Sequence, residues 1–198
     1  MSMKSKLALA VLALAAGSAM ADAIPYPNPG TQNPVNYTFT ASGSGDLVAY
    51  FMGSGAGYDE QVGVLVNGVD SGVVGLDDHS SAVGDSIDFG HVNAGDTLVF
   101  YDLVLTTGNT FYTDTSMNAD GVNHTYSTAY TGGTPGVPAG TYVAFEDLFG
   151  GGDLNYFDDT FVFTNVATTP SVPEPANAGL LLAGLGLMAF MVRRRGTK

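Results

Sequence analysis

The chain has 198 residues, no cysteine, and 19 acidic against 6 basic side chains, for a formal net charge of −13. All Lys and Arg lie in residues 4–6 and 193–198, whereas all Asp and Glu lie in residues 22–192. Residues 22–192 therefore carry a formal charge of −19. This composition excludes disulfides and Cys-based zinc sites, and it argues against nucleic-acid or anionic-lipid binding by the central region, because phosphate contacts depend on Lys and Arg.

The first 21 residues have the pattern of a secretory signal peptide. A basic start with two lysines precedes an apolar stretch at residues 7–16. Ala19 and Ala21 fit the small-x-small cleavage pattern, and Ala21 with Ala23 is a second option. We therefore predict a signal helix that uses the Sec translocon, and a mature chain that begins at Asp22 or two residues later.

A series of short strands separated by glycine turns is predicted between residues 35 and 166, after a Pro-rich leader at 22–34. The strand-like stretches are 35–41, 47–52, 61–66, 69–74, 86–92, 97–105, 109–113, 124–130, 141–148 and 160–166. Asn67-Gly68 is a strong hairpin signal. Because no stretch between the two ends has a convincing helical period, we predict an all-β, antiparallel, jelly-roll-like β-sandwich.

Residues 145–159 form an acidic loop around three consecutive glycines. Its oxygen-bearing side chains are Glu146, Asp147, Asp153, Asn155, Asp158 and Asp159. Glycine lets a loop fold tightly, and Ca²⁺ takes six to eight oxygen ligands in flexible geometry. We predict a Ca²⁺ site here that is not an EF-hand, because Phe157 stands where that loop needs a ligand. The alternative is a solvated acidic turn whose Asp side chains cap backbone N–H groups.

A second acidic region combines Asp77 and Asp78 with Asp120 and Asn123, each pair lying next to a histidine in the sequence. His79 and His124 could meet at a metal ion. Their spacing follows no zinc pattern, however, so ordinary hydrogen-bonded loop histidines are the preferred interpretation.

The C-terminal tail has three parts in a fixed order. A linker at 167–175 contains Val172, Pro173, Glu174 and Pro175, an apolar stretch covers 176–192, and a basic end at 193–198 follows. The prolines favour extended backbone, and the apolar stretch predicts a transmembrane helix slightly shorter than the usual 20 or so residues. The basic end contains Arg193, Arg194 and Arg195, which hold it on the cytoplasmic side.

This tail resembles the PEP-CTERM sorting signal of Gram-negative bacteria. The resemblance implies that exosortase, a membrane transpeptidase, cuts near Pro-Glu-Pro and that the protein reaches the cell exterior. Such proteins are common in species that make exopolysaccharide. The alternative is an ordinary C-terminal anchor after a Pro-rich linker.

The acidic loop also resembles the Phe-Glu-Asp-Leu…Gly-Gly-Asp-x-Asn-Tyr signature of a domain of unknown function found in secreted bacterial proteins. Further matches lie at residues 75–79, 94–96 and 118–124. The resemblance implies a fold and an extracellular location, and no activity.

Common catalytic motifs are missing: there is no Gly-x-Ser-x-Gly, no His-Glu-x-x-His and no Walker loop. We predict a non-enzymatic structural or adhesive protein of the cell surface or extracellular matrix, stabilised by Ca²⁺. Divalent cations would bridge its acidic surface to anionic exopolysaccharide. The alternative is a Ca²⁺-dependent carbohydrate-binding module. Its candidate sugar-stacking residues are Tyr112, Tyr126, Tyr130 and Tyr156. A glycan hydrolase with a pair of carboxylates ranks third.

Overall fold

The computed structural model describes residues 23–171. The predicted signal helix at 1–21 and the predicted membrane helix at 176–192 lie outside these residues. Between 23 and 171, no helix has the length and apolar character needed to cross a membrane.

Eleven strands and one 3₁₀ turn, Thr115–Met117, are the regular elements of the described region. The strands are β1 Asn36–Ala41, β2 Gly45–Ser54, β3 Glu60–Val66, β4 Val69–Gly75, β5 Ser86–Val92, β6 Thr97–Val104, β7 Asn109–Tyr112, β8 Thr125–Tyr130, β9 Gly140–Phe145, β10 Asp159–Phe163 and β11 Val166–Ser171.

The strands form two antiparallel sheets. The first has the order β11-β1-β6-β3-β4, with β7 also paired to β6, and the second has the order β5-β2-β10-β9-β8. Apolar side chains from both sheets build one core, in which the rings of Phe100 on β6 and Phe163 on β10 stack at 3.8 Å. The all-β antiparallel prediction is therefore confirmed in a sandwich-like arrangement, whereas the jelly-roll subtype stays a prediction.

A second core covers the other face of the second sheet, and the Pro-rich leader belongs to it. Tyr26 is only 5% exposed and packs edge-on against Tyr126 and Tyr156, at 5.2 and 4.7 Å. The Asn33 side chain donates to the Thr125 carbonyl at 2.9 Å. The leader is thus docked on the domain, and its packed part begins before residue 35.

The predicted linker is wrong in its first five residues, because β11 continues to Ser171. This strand pairs with β1 in a continuous register from Asn36 opposite Ser171 to Ala41 opposite Val166. Pro170 is tolerated because β11 is an edge strand. Proline has no backbone N–H, and on an edge strand this loss need not break a hydrogen bond to a neighbouring strand. The described fold therefore extends to Ser171, the residue directly before the Val172-Pro173-Glu174-Pro175 segment.

Gly63 on β3 lies under an aromatic ring, and we expect Gly63→Ala to be strongly destabilising. A Cβ at Gly63 would lie 2.1 Å from Cζ of Tyr101, its partner on β6, whose hydroxyl donates to Asp70. Such overpacking costs about 1–3 kcal/mol. Thermal melts should show a clear loss, with Gly57→Ala as the control because a Cβ at Gly57 would have no other heavy atom within 4 Å. Equal melting temperatures for both variants would contradict this packing.

Candidate functional site

Three carboxylates converge where β3 and β10 begin and β6 approaches its end. Glu60 is the first residue of β3, Asp159 is the first residue of β10, and Asp102 lies on β6. One carboxylate oxygen from each lies within 4.8 Å of the other two, and all three residues are 0% exposed. We call these three residues the buried acid cluster.

The described residues supply neither hydrogen bonds nor Lys and Arg charges to the buried acid cluster. None of its six carboxylate oxygens has a hydrogen-bond partner among the described residues. Residues 23–171 also contain no Lys or Arg that could neutralise it. Buried polar groups are nearly always partnered, and an isolated buried charge is very costly. These acids must therefore be protonated or be neutralised by a cation from outside the chain.

Burial and mutual repulsion both raise the pKa values of the carboxyl groups in the cluster. Burial, followed by the nearby charge of Asp102, raises the pKa of Glu60 far above its usual range. Burial and then Asp147 raise the pKa of Asp102, and burial and then Asp102 raise that of Asp159. Without a cation, burial and mutual repulsion therefore favour the protonated forms of these three carboxyl groups.

Further acids lie between the cluster and solvent. The Asp147 backbone N–H donates to Asp158 Oδ2 at 3.1 Å. Asp78 accepts from the Glu60 N–H at 2.8 Å and from the Ser54 hydroxyl at 3.0 Å. A surface pocket of about 300 Å³ opens beside them. It is lined by Gly57, Tyr58, Asp147, Leu148, Asp153 and Asp158.

Of the acidic loop predicted as one Ca²⁺ site, only the last residue belongs to the buried acid cluster. Asp159 belongs to the buried acid cluster, and Asp147 and Asp158 lie beside it, as their effects on the pKa of Asp102 indicate. Asp153 lines the same pocket as Asp147 and Asp158 and accepts two hydrogen bonds from Asn155, at 3.1 and 2.8 Å. The Oδ1 atom of Asn155 is buried and has no partner among the described residues.

Glu146 is buried against the turn that contains Gly152, because a Cβ on Gly152 would lie 3.0 Å from its Oε2 atom. It accepts from the Tyr156 backbone N–H, while its second oxygen has no partner among the described residues. Burial raises its pKa to about 8.

Asp120 and Asn123 from the second predicted region hold loops together. Asp120 accepts from the N–H groups of Gly150 at 2.7 Å and Val122 at 3.0 Å, and it contacts His124 Nε2 at 2.9 Å. Although burial acts to raise its pKa, these hydrogen bonds lower it. Asn123 fastens the leader by donating to the Asn33 and Val35 carbonyls.

Asp77 and Asp78 have different surroundings. Asp77 accepts from the Ser80 hydroxyl at 3.0 Å in an exposed turn. Asp78 and Asp59 flank His79, whose Nδ1 lies 2.6 Å from Asp59, and the three form a second, mostly exposed candidate metal group. His79 and His124 thus contact different carboxylates, and the preference for ordinary hydrogen-bonded histidines stays a prediction.

Two of the four tyrosines considered for sugar stacking are buried. Tyr156 is 1% exposed and Tyr130 is 7% exposed, so neither presents a ring face to solvent. Tyr126 and Tyr112 are half-buried and pack against Tyr26 and Tyr101 respectively.

Glu60 and Asp102 are the two cluster members that the sequence patterns did not identify. Asp102 had a usable signal, because it is a charged residue inside the apolar stretch 98–105. The sequence feature that could have identified Glu60 is weaker: this residue follows Asp59 directly and lies at the start of a strand.

Comparison with known proteins identifies the tail. A family model described as the PEP-CTERM protein-sorting motif matches residues 171–195. This confirms the resemblance drawn from the Pro-Glu-Pro segment, the apolar stretch and the arginines. No curated protein and no solved structure matches the chain. The resemblance of the β-domain to a secreted domain of unknown function stays a prediction.

Proposed function

We propose that this is an exosortase-processed protein of the cell surface or extracellular matrix whose β-domain acts as a structural or adhesive unit. The sorting motif at 171–195 carries the proposal, because it indicates export and implies processing by exosortase. The motif begins at the last residue of β11, so cleavage near Pro-Glu-Pro would release the folded domain with almost no linker.

The charge of the domain supports an extracellular setting. Without Lys or Arg in residues 23–171, its carboxylates repel one another unless mobile cations screen them. In this proposal Ca²⁺ stabilises the domain, and divalent cations bridge its acidic surface to anionic exopolysaccharide. The carbohydrate-binding alternative has less support because two of its four candidate tyrosines are buried. A hydrolase has less support because the buried acid cluster is closed to substrate.

Deletion of residues 172–198 tests the sorting role. We expect the intact chain outside the cell in a shortened form, and the deleted chain retained inside the envelope because it lacks the motif. The measurement is cell fractionation followed by mass determination. Glu174→Ala is the matched variant, since it changes Pro-Glu-Pro and leaves the apolar stretch intact. Unchanged release of the deleted chain would refute the proposal.

A further inference from the structure

We propose that Glu60, Asp102 and Asp159 form a buried binding site for a dehydrated divalent cation, with Ca²⁺ as the occupant. This inference deepens the proposed function, which assumes stabilisation by Ca²⁺ without placing the ion. It also moves the site from the surface of the acidic loop to a position enclosed by three strands.

Charge compensation favours a cation at this position. Six carboxylate oxygens lie buried without a hydrogen-bond partner among the described residues, and residues 23–171 contain no Lys or Arg. A divalent cation would compensate most of the charge of three carboxylates. It would also give several of these oxygens the partner that the chain does not supply.

Hydration favours Ca²⁺ over Mg²⁺ at this position. Ca²⁺ holds oxygens at about 2.3–2.6 Å, so oxygens on opposite sides of the ion are about 5 Å apart. The cluster atoms, all within 4.8 Å of one another, fit inside this span. Mg²⁺ is smaller and usually keeps several waters. A site whose residues are 0% exposed therefore favours Ca²⁺.

Two neighbouring acids offer access and further ligation. Asp147 and Asp158 line the surface pocket of about 300 Å³ and also act on the cluster, because their charges raise the pKa of Asp102. They would attract a cation at the surface and lead it inward. Asp147 is 4% exposed and could complete the coordination sphere.

The position of the site gives it a mechanical role. Glu60 and Asp102 belong to the first sheet and Asp159 belongs to the second. An ion held by all three would link the two sheets and fix the end of the acidic loop. The domain would therefore become fully stable where Ca²⁺ is abundant, which for an exported protein is outside the cell.

Calcium titration of the purified full-length chain, stripped with EDTA and followed by calorimetry, tests the site. We expect wild type to bind at least one Ca²⁺ per chain, with no displacement by a tenfold excess of MgCl₂. Asp102→Asn and Glu60→Gln should weaken binding at least tenfold. Asp88→Asn is the matched control, because Asp88 is an exposed acid on β5. Asp153→Asn changes an acid that lines the surface pocket and lies outside the cluster, so it should weaken binding less than Asp102→Asn does.

Two outcomes would overturn the proposal. The first is no binding by wild type at millimolar Ca²⁺, and the second is binding that is lost in Asp153→Asn but retained in Asp102→Asn. Circular dichroism in EDTA verifies that each variant is folded. These measurements use purified protein, so they can fail while sorting succeeds, and the deletion of residues 172–198 can fail while Ca²⁺ still binds.

Discussion

In EDTA, Asp102→Asn should melt at a higher temperature than wild type, and in 2 mM Ca²⁺ it should melt at a lower one. Without a cation, Asp102 is a fully buried acid that faces other acids, so its replacement removes an unfavourable interaction. The Asn amide also adds a donor for the unpartnered oxygens of Glu60 and Asp159. With Ca²⁺ present, the same change removes a charged ligand.

The expected change in melting temperature is large enough to measure. An extracellular Ca²⁺ module with a dissociation constant near 10⁻⁴ M gains about 1.8 kcal/mol at about 2 mM Ca²⁺. For a domain of this size, that free energy corresponds to a rise of roughly 4–7 °C in the melting temperature of wild type. Asp102→Asn should lose most of this rise, and the exposed control Asp88→Asn should retain it. Parallel behaviour of Asp102→Asn and wild type in both buffers would contradict a Ca²⁺ site at Asp102.

In EDTA, the melting temperature of wild type should fall as pH rises from 5 to 8. Burial raises the folded-state pKa of Glu146 to about 8, and it raises those of Glu60, Asp102 and Asp159 well above their usual values. In the unfolded chain these groups titrate near pH 4. Between the two values the folded state binds more protons, so its stability decreases as pH increases.

Calcium should weaken or reverse this trend, because metal binding displaces the protons and its affinity grows with pH. The acids that face this region are Glu60, Asp78, Asp102, Glu146, Asp147, Asp153, Asp158 and Asp159. Melts at pH 5, 6, 7 and 8, each in EDTA and in CaCl₂, make the comparison. A melting temperature in EDTA that is constant or rises over this range would contradict the raised pKa values.

The strands were largely predictable because their signals are local. The predicted strand 86–92 has the bounds of β5, Ser86–Val92. The Asn67-Gly68 hairpin forms as expected, with φ of 51° and 79° and with Val66 opposite Val69. In both cases alternating apolar residues and a turn residue suited to positive φ lie next to each other in the sequence.

The packing of β11 and of the leader depends on distant partners. β11 is an edge strand of mostly exposed residues with a proline, so it has no apolar alternation that could predict it. Tyr26 is buried only because the second sheet presents an apolar outer face to the leader. Neither fact can be read from the segment itself.

The buried acid cluster could not be predicted by searching for local motifs. Its members lie on three strands and are separated by more than 40 residues in the sequence. The register of β3 and β6, which places Glu60 opposite Val104 and Val62 opposite Asp102, brings the first two together. Packing of the second sheet then adds Asp159. Of the residues in the acidic loop, only Asp159 belongs to the cluster.

The most direct measurement is a crystal structure of the protein grown with CaCl₂. We predict one ion about 2.3–2.6 Å from oxygens of Glu60, Asp102 and Asp159. An ion-free cluster whose carboxyl oxygens lie about 2.5–2.7 Å from one another, the spacing of carboxyl groups that share protons, would contradict this prediction.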